Sequence, residues 1–286
     1  MWYWLAKFEG VLFIPFTPIF LASWRMRGIP LSFRCKKCRS WLLRDPRTFR
    51  FGICEKCYNE MIWSDITKFQ KELYEEQGAL SPAITPEEPY FGRVVKKVGY
   101  GKVLDVGCGS GYLLSKLKSE FLCGMDLSAG AVKEAGNRVK QGHFCVADAR
   151  SIAFKSNVFD YVVCTEVLEH IEGNDTVREC YRVLKRGGVM LVTVPNGKGP
   201  YGRFFVSHIK FFTYQSIADL LKETGFEIIS GQKFGLYIPF LTTTIGMLSN
   251  VLHKNLTKFN LLDRLNTPEL LAHSFFIECR KPEKEA

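Results

Sequence analysis

Acidic residues are in short supply in this chain. It sets 29 Asp and Glu against 39 Lys and Arg, a net charge of +10 over 286 residues. The deficit is uneven: residues 1–70 hold twelve bases against five acids (+7), and the rest hold 27 against 24 (+3). A basic N-terminal region can face nucleic acid or an anionic membrane surface, and charge alone does not choose between them. No internal repeat is present, which excludes solenoids and propellers. Long apolar runs are also missing near the N-terminus. The uncharged stretch Gly10–Trp24 has fifteen residues, about 22 Å as a helix, short of a roughly 30 Å hydrocarbon core. Pro15 and Pro18 break it further. Lys7 is the only base before it, too little for a cleaved secretory signal. The expectation is an interfacial or re-entrant anchor; a true span, or a segment packed on the protein's own core, is the alternative.

Cysteines are placed in two distinct ways. Cys35/Cys38 and Cys54/Cys57 are two C-x2-C pairs separated by fifteen residues. Four thiolates at this spacing complete the closed tetrahedral shell of a structural zinc ion and leave no position for substrate. The stretch between them is too small to hold itself without the ion. Coincidental thiols or two disulfides would be the alternative. The other six, Cys108, Cys123, Cys145, Cys164, Cys180 and Cys279, mostly sit in apolar runs and read as free thiols of a reducing, cytoplasmic compartment.

The chain divides accordingly. Residues 1–29 form the apolar segment, 30–62 a small zinc-ribbon-like module, and 63–89 a polar, Pro-rich linker with a helix. From residue 90 to 286 short apolar runs alternate with helical patterns, as in a Rossmann-like, doubly wound α/β sheet. The strand candidates are KVLDVGC, FLCGMDLS, HFCVADA, FDYVVCTEVL, GVMLVTVPN, FEIIS and HSFFIECRKP. Helical spacing is expected over 111–120, 128–139, 175–187 and 213–225.

The stretch VLDVGCGSGYLL follows the first strand with glycines at 107, 109 and 111. A dinucleotide fingerprint needs its third glycine at position 112, where Tyr112 stands, which argues against a nicotinamide or flavin cofactor. Asp105 at the strand end can orient a cationic group. Asp126 ends the second strand, 21 residues on, where a carboxylate can accept both hydroxyls of a ribose. Asp148 follows the third strand, where a carboxylate can accept an adenine amino group. Three acids at successive strand ends line one crevice of an open sheet.

Over about 90–234 the chain resembles the class I S-adenosylmethionine-dependent methyltransferases, on LDVGCGSG, GMDLS, VADA, FDYVVCTEVLEHI and VLKRGGVMLVTVPN. The resemblance implies S-adenosylmethionine as cofactor. It places the methionine end on the loop of Asp105, Gly107, Gly109 and Gly111, the ribose on Asp126 and the adenine by Asp148.

TEVLEHI is similar to a motif of ubiquinone-pathway O-methyltransferases, whose Glu/Glu/His set is associated with a divalent ion. Glu166, Glu169 and His170 are the corresponding candidate catalytic residues. A phenol or alcohol acceptor must lose a proton, for which His170 is the expected general base; caps of the following helix would be the structural alternative. HIKFFTYQSIADLLKETGFEII resembles the segment after strand five in methyltransferases of quinones, lipids and lipid-linked sugars, with His208, Lys210, Phe211 and Phe212 as a substrate lip or an ordinary core edge. The nineteen uncharged residues Phe234–Leu252 open an apolar insertion over 235–271.

The expected function is methyl transfer to a hydrophobic small molecule (a quinone, isoprenoid or lipid-linked acceptor) by a cytoplasmic protein in peripheral contact with a membrane. The alternative is an RNA-base methyltransferase with a basic zinc module. It lacks an asparagine/proline catalytic motif such as NPPY after strand four, and would leave the apolar segments without a role. A non-catalytic cofactor-binding adaptor is a third class, which the intact acidic triad disfavours.

Overall fold

The computed structural model of the protein describes residues 91–198, 208–235, 268–269 and 272–284. The four C-x2-C cysteines, the Gly10–Trp24 segment, the linker and most of the apolar insertion lie outside the described residues. Within them, seven strands form one sheet in the order β3-β2-β1-β4-β5-β7-β6. In chain order these are β1 (Lys102–Val106), β2 (Phe121–Asp126), β3 (His143–Val146), β4 (Phe159–Thr165), β5 (Leu184–Pro195), β6 (Glu227–Phe234) and β7 (Ser274–Arg280). The first five strands run parallel, and β7 inserts antiparallel between β5 and β6. The sheet is therefore mixed.

Side chains that alternate along each strand build a core on both faces. Leu104, Val162, Cys164, Met190, Val192, Phe275 and Ile277 belong to one cluster, whereas Val103, Val163, Leu191 and Phe276 belong to the other. This period of two, apolar on both sides, is why the strands read as continuous hydrophobic runs. Helices α1 (Phe91–Lys97) and α2 (Ala129–Arg138) supply Val94 and Ala135 to the second cluster. Helices α3 (Asp175–Val183) and α4 (Tyr214–Glu223) supply Val177, Cys180, Ile217 and Leu221 to the first. Full burial of each such Val or Leu contributes about 1.5–3 kcal/mol.

Two helix expectations are corrected. Residues 111–120 make only one 3-10 turn, Leu114–Lys116, after which Leu117 is extended. Leu113, Leu114 and Leu117 are buried as a helix would bury them. The Ser119 hydroxyl, however, donates to the Gly101 carbonyl at 2.6 Å and accepts from the Gly101 N–H, so the chain turns early into β2. The helix expected over 175–187 ends at Val183. Leu184–Gly187 already belong to β5, with Gly187 at φ +75°. The buried Lys281 ammonium donates to the carbonyls of Tyr181 and Leu184 and to Asn157, which satisfies that helix end from the residue just past β7.

All six scattered cysteines are free, five of them buried, as expected. Among the described residues no helix is long and apolar enough to cross a membrane.

Candidate active site

Parallel pairing sets the ends of β1 to β5 along one edge. Asp126 faces Val146, Val106 faces Cys164 and Thr165 faces Thr193 in register. The loops that follow these strands therefore share one side of the sheet, and the strand order reverses between β1 and β4, the usual crevice of open α/β sheets.

The glycine loop needs glycine for two separate reasons. Gly107, Gly109 and Gly111 all have positive φ, +78°, +50° and +72°, a region that side chains disfavour. A Cβ at Gly107 would also collide with Val167, and one at Gly111 would lie 2.9 Å from the Ala135 Cβ. The space beside Gly109 is open, with nothing within 4 Å. It is a cradle at which a ligand can meet backbone.

Each acid of the triad has its own setting. Asp105 is buried, with one carboxylate oxygen lacking a hydrogen-bond partner among the described residues. Burial, and then the nearby Asp126, push its pKa up to about 7. Asp126 accepts the Gly109 N–H and the Ser128 N–H at 2.9 Å each, so it fixes both the glycine loop and the start of α2. Burial nonetheless outweighs these donors and raises its pKa. Asp148 is opposed by burial, yet Arg150 brings it below the usual carboxylate range: its Nε donates to both carboxylate oxygens at 3.0 and 3.2 Å, a terminal nitrogen donates at 2.6 Å and its backbone N–H at 2.9 Å. Arg150 went unnoticed in the sequence because a base two residues past an acid is an ordinary surface pair.

Across the crevice, the turn after β4 carries the second group. Glu166 has a left-handed backbone at φ +54°, which costs a non-glycine residue about 1–3 kcal/mol and marks a position held by its surroundings. Its N–H donates to the Thr193 carbonyl on the neighbouring strand. Val167 packs into the space that a side chain at Gly107 would need, so this turn abuts the glycine loop directly. Glu169 is fully buried, and neither of its oxygens has a hydrogen-bond partner among the described residues. Burial and then Glu166 push its pKa well up.

The Glu169 carbonyl accepts the N–H groups of Ile209 and Lys210, at 2.8 and 3.0 Å. These bonds set His208 beside the turn. Its Nε2 lies 4.0 Å from Glu169 Oε1, and that of His170 lies 3.6 Å from the same oxygen. The two imidazoles pack edge to face at 4.8 Å. Of the expected lip, His208 and Phe212 are buried, Phe211 is exposed, and the Lys210 ammonium reaches the Gly173 carbonyl.

The structure thus gathers Asp105, Gly107, Gly109 and Asp126 around one cradle, with Asp148 on the loop after the next strand. Glu169, His170 and His208 form a second group across the β1/β4 crevice. Asn196, also missed by the sequence reading, follows β5. Its amide donates to the carbonyls of Glu269 and Ala272, which ties the end of the apolar insertion to this edge. An Asn after a strand reads as an ordinary turn residue.

Comparison with known proteins agrees with this geometry. Residues 104–192 match the family model described as a methyltransferase domain. The demethylmenaquinone methyltransferase of Thermotoga maritima is 27% identical over 169 residues, 47% of this chain and 74% of that protein. Phosphoethanolamine N-methyltransferase 2 of Caenorhabditis elegans is 30% identical over 158 residues, 47% of this chain and 35% of that protein. The fold is also that of a solved S-adenosylmethionine-dependent methyltransferase from Archaeoglobus fulgidus, with TM-score 0.50 and 17% identity over 78% of this chain and 99% of the other. Residues 104–192 thus resemble a methyltransferase domain, and the described sheet has the fold of an S-adenosylmethionine-dependent methyltransferase.

The residues present fit that cofactor. The open cradle at Gly109 admits a backbone-bound group, and the unsatisfied Asp105 oxygen awaits a cationic one such as the methionine ammonium. This gives a first prediction. Asp105 must lose its proton to hold an ammonium, so affinity should rise with pH through its pKa of about 7. Between pH 6 and 7.5 the rise should be roughly eightfold, with the protons released per ligand falling from about 0.9 to about 0.2. Titration calorimetry in buffers of different ionisation enthalpy reads that proton. Asp105→Asn should abolish both the slope and the release; a release that persists in this variant assigns the proton elsewhere.

Proposed function

We propose that this methyltransferase modifies a hydrophobic acceptor (a quinone, an isoprenoid or a lipid-linked molecule) at a membrane surface. The observation that carries this reading is where the apolar insertion is rooted. The chain leaves β6 at Gly235 and returns at Ala272, where the His273 N–H donates to the Phe234 carbonyl. Pro195, Ser274 and Phe234 lie side by side across β5, β7 and β6. The uncharged stretch Phe234–Leu252 therefore departs from the same sheet edge that bears the cofactor loop and the Glu169–His170–His208 group. The similarity to a demethylmenaquinone methyltransferase supports an apolar acceptor, while the similarity to a phosphoethanolamine N-methyltransferase leaves the acceptor class to experiment.

In this reading Asp105, Gly107, Gly109, Gly111, Asp126 and Asp148 hold S-adenosylmethionine, whose sulfonium supplies a methyl group to a nucleophile. His170 would take the proton of the acceptor hydroxyl as general base, with Glu166 and Glu169 beside it on the same turn. Methyl transfer otherwise depends on in-line positioning. Cys35, Cys38, Cys54 and Cys57 would hold a structural zinc ion in a basic module, which together with residues 1–29 would dock the enzyme on anionic lipid.

Mass spectrometry of lipid and RNA extracts from cells with and without the protein tests the acceptor. A lipid-soluble compound lighter by one CH2 in the deficient cells is the expected result. The full chain should co-sediment with anionic liposomes and be only partly released by salt, because buried apolar area is insensitive to screening. The charge of +7 over residues 1–70 favours one other reading, an RNA methyltransferase. Tight RNA binding that is steeply salt-dependent, with no liposome binding and an RNA nucleoside lacking its methyl group, would establish it instead.

A further inference from the structure

We propose that Arg150 is a positioning residue that leaves the Asp148 carboxylate a single open acceptor site and so makes it select a purine with a 6-amino group. The inference rests on the placement of adenine by Asp148 given above and adds the group that sets it. Asp148 lies just past β3, and the Ala147 N–H donates to the Asp126 carbonyl at 3.0 Å. The acids meant for ribose and base therefore sit on joined loops.

A local turn builds the pair. The Ser151 N–H donates to the Asp148 carbonyl at 3.0 Å, and the Arg150 N–H donates to Asp148 Oδ1 at 2.9 Å. This Asx turn folds the Arg150 side chain back over the carboxylate. The next residue is fixed from α3. Its N–H, that of Ile152, donates to Glu179 at 2.8 Å, and its carbonyl accepts Arg182 at 2.7 Å. Asp175, the first residue of α3, and Glu172 just before it also favour the Arg150 charge. The guanidinium is thus held between the loop after β3 and the start of α3.

Lone pairs decide what Asp148 can still accept. A carboxylate offers about four acceptor sites. Oδ1 takes the Arg150 N–H and Nε, at 2.9 and 3.0 Å, and is full. Oδ2 takes the terminal nitrogen at 2.6 Å and the weaker share of Nε at 3.2 Å. One lone pair of Oδ2 remains, and no other donor among the described residues reaches it. A guanidinium fork fixes the plane of a carboxylate as well as its charge, which a single ammonium does not. Asp148 can therefore receive one ligand N–H from one direction, as the adenine amino group would supply it. The two side chains are 34% and 32% exposed, so water offsets part of the preference.

Calorimetry on the full chain compares S-adenosylhomocysteine with its analogue in which hydrogen replaces the 6-amino group. The parent protein should prefer the amino ligand at least about tenfold. Arg150→Ala should cut that preference to about threefold or less while affinity for the analogue stays unchanged, which also shows that the fold persists. Arg150→Lys should behave in the same way, since an ammonium restores the charge without the fork. Equal weakening of both ligands in Arg150→Ala would make the residue merely structural and overturn the proposal. Full preference in Arg150→Lys overturns it too. A preference kept in Arg150→Ala but lost in Asp148→Ala also overturns it, and leaves adenine at Asp148. A preference that survives Asp148→Ala, or is missing from the parent, removes adenine from that site and the proposal with it.

Discussion

Asp126→Ala is expected to weaken S-adenosylmethionine binding at least about 100-fold, the largest single effect in the cofactor site. Two losses combine. The carboxylate should accept both ribose hydroxyls, and hydrogen bonds to a charged acceptor contribute about 1.5–3 kcal/mol each. It also accepts the Gly109 and Ser128 N–H groups at 2.9 Å, so its removal frees the loop that should hold the methionine end. Asp126→Asn keeps the shape and one carbonyl acceptor, and should lose about tenfold. Calorimetry on both variants measures the difference, and unaltered thermal unfolding of the ligand-free protein would confirm that the fold survives. If the alanine variant bound the cofactor as tightly as the parent, the ribose would have to be held elsewhere.

His170→Ala should act in the opposite pattern, with turnover down about 100-fold and cofactor affinity unchanged. Groups that help a hydroxyl lose its proton typically supply 10²–10⁴ in rate. His170 lies on the Leu168–His170 turn after β4, across the crevice from Asp126 at the end of β2. A residue that only capped α3 would leave turnover per folded molecule as it was. Single-turnover transfer of labelled methyl groups into the lipid extract, read beside cofactor binding on the same preparation, separates these outcomes. A parallel loss of cofactor affinity would point to a structural role for the turn.

Much of the cofactor half was legible in the sequence because its residues are local. Asp105 and the three glycines fall within seven consecutive residues, and their chemistry depends on a tight turn that glycine spacing announces. Asp126 and Asp148 were legible because Asp126 ends, and Asp148 lies just past, a strand that hydrophobic runs reveal. The group after β4 was only partly legible. Glu166, Glu169 and His170 form one visible motif, but nothing in their spacing tells which of them His208 joins. Arg150 was hidden for a related reason: its value lies in the hydrogen bonds that it makes with Asp148, not in its residue type.

Elements that depend on distant contacts were read least well. The Gly111–Glu120 segment has helical spacing, and its leucines are buried accordingly, yet Ser119 binds Gly101 and ends the turn after Lys116. The seventh strand was visible as HSFFIECRKP. Its place between β5 and β6, and its antiparallel sense, were not. Both depend on backbone partners that local propensity does not encode.

The sequence by itself determined the α/β class, the glycine loop after β1 and the acids at the strand ends, because those features arise within single strand–turn units. The tertiary structure decided the mixed sheet and the meeting of Glu169 with His170 and His208. It also decided that the chain leaves for the apolar insertion, and returns from it, at the sheet edge that bears these loops. Pairing in the sheet brings together loops far apart in the chain, and two Glu169 carbonyl hydrogen bonds then set His208 in place. Such juxtapositions follow from strand order and register, which one-dimensional spacing does not contain.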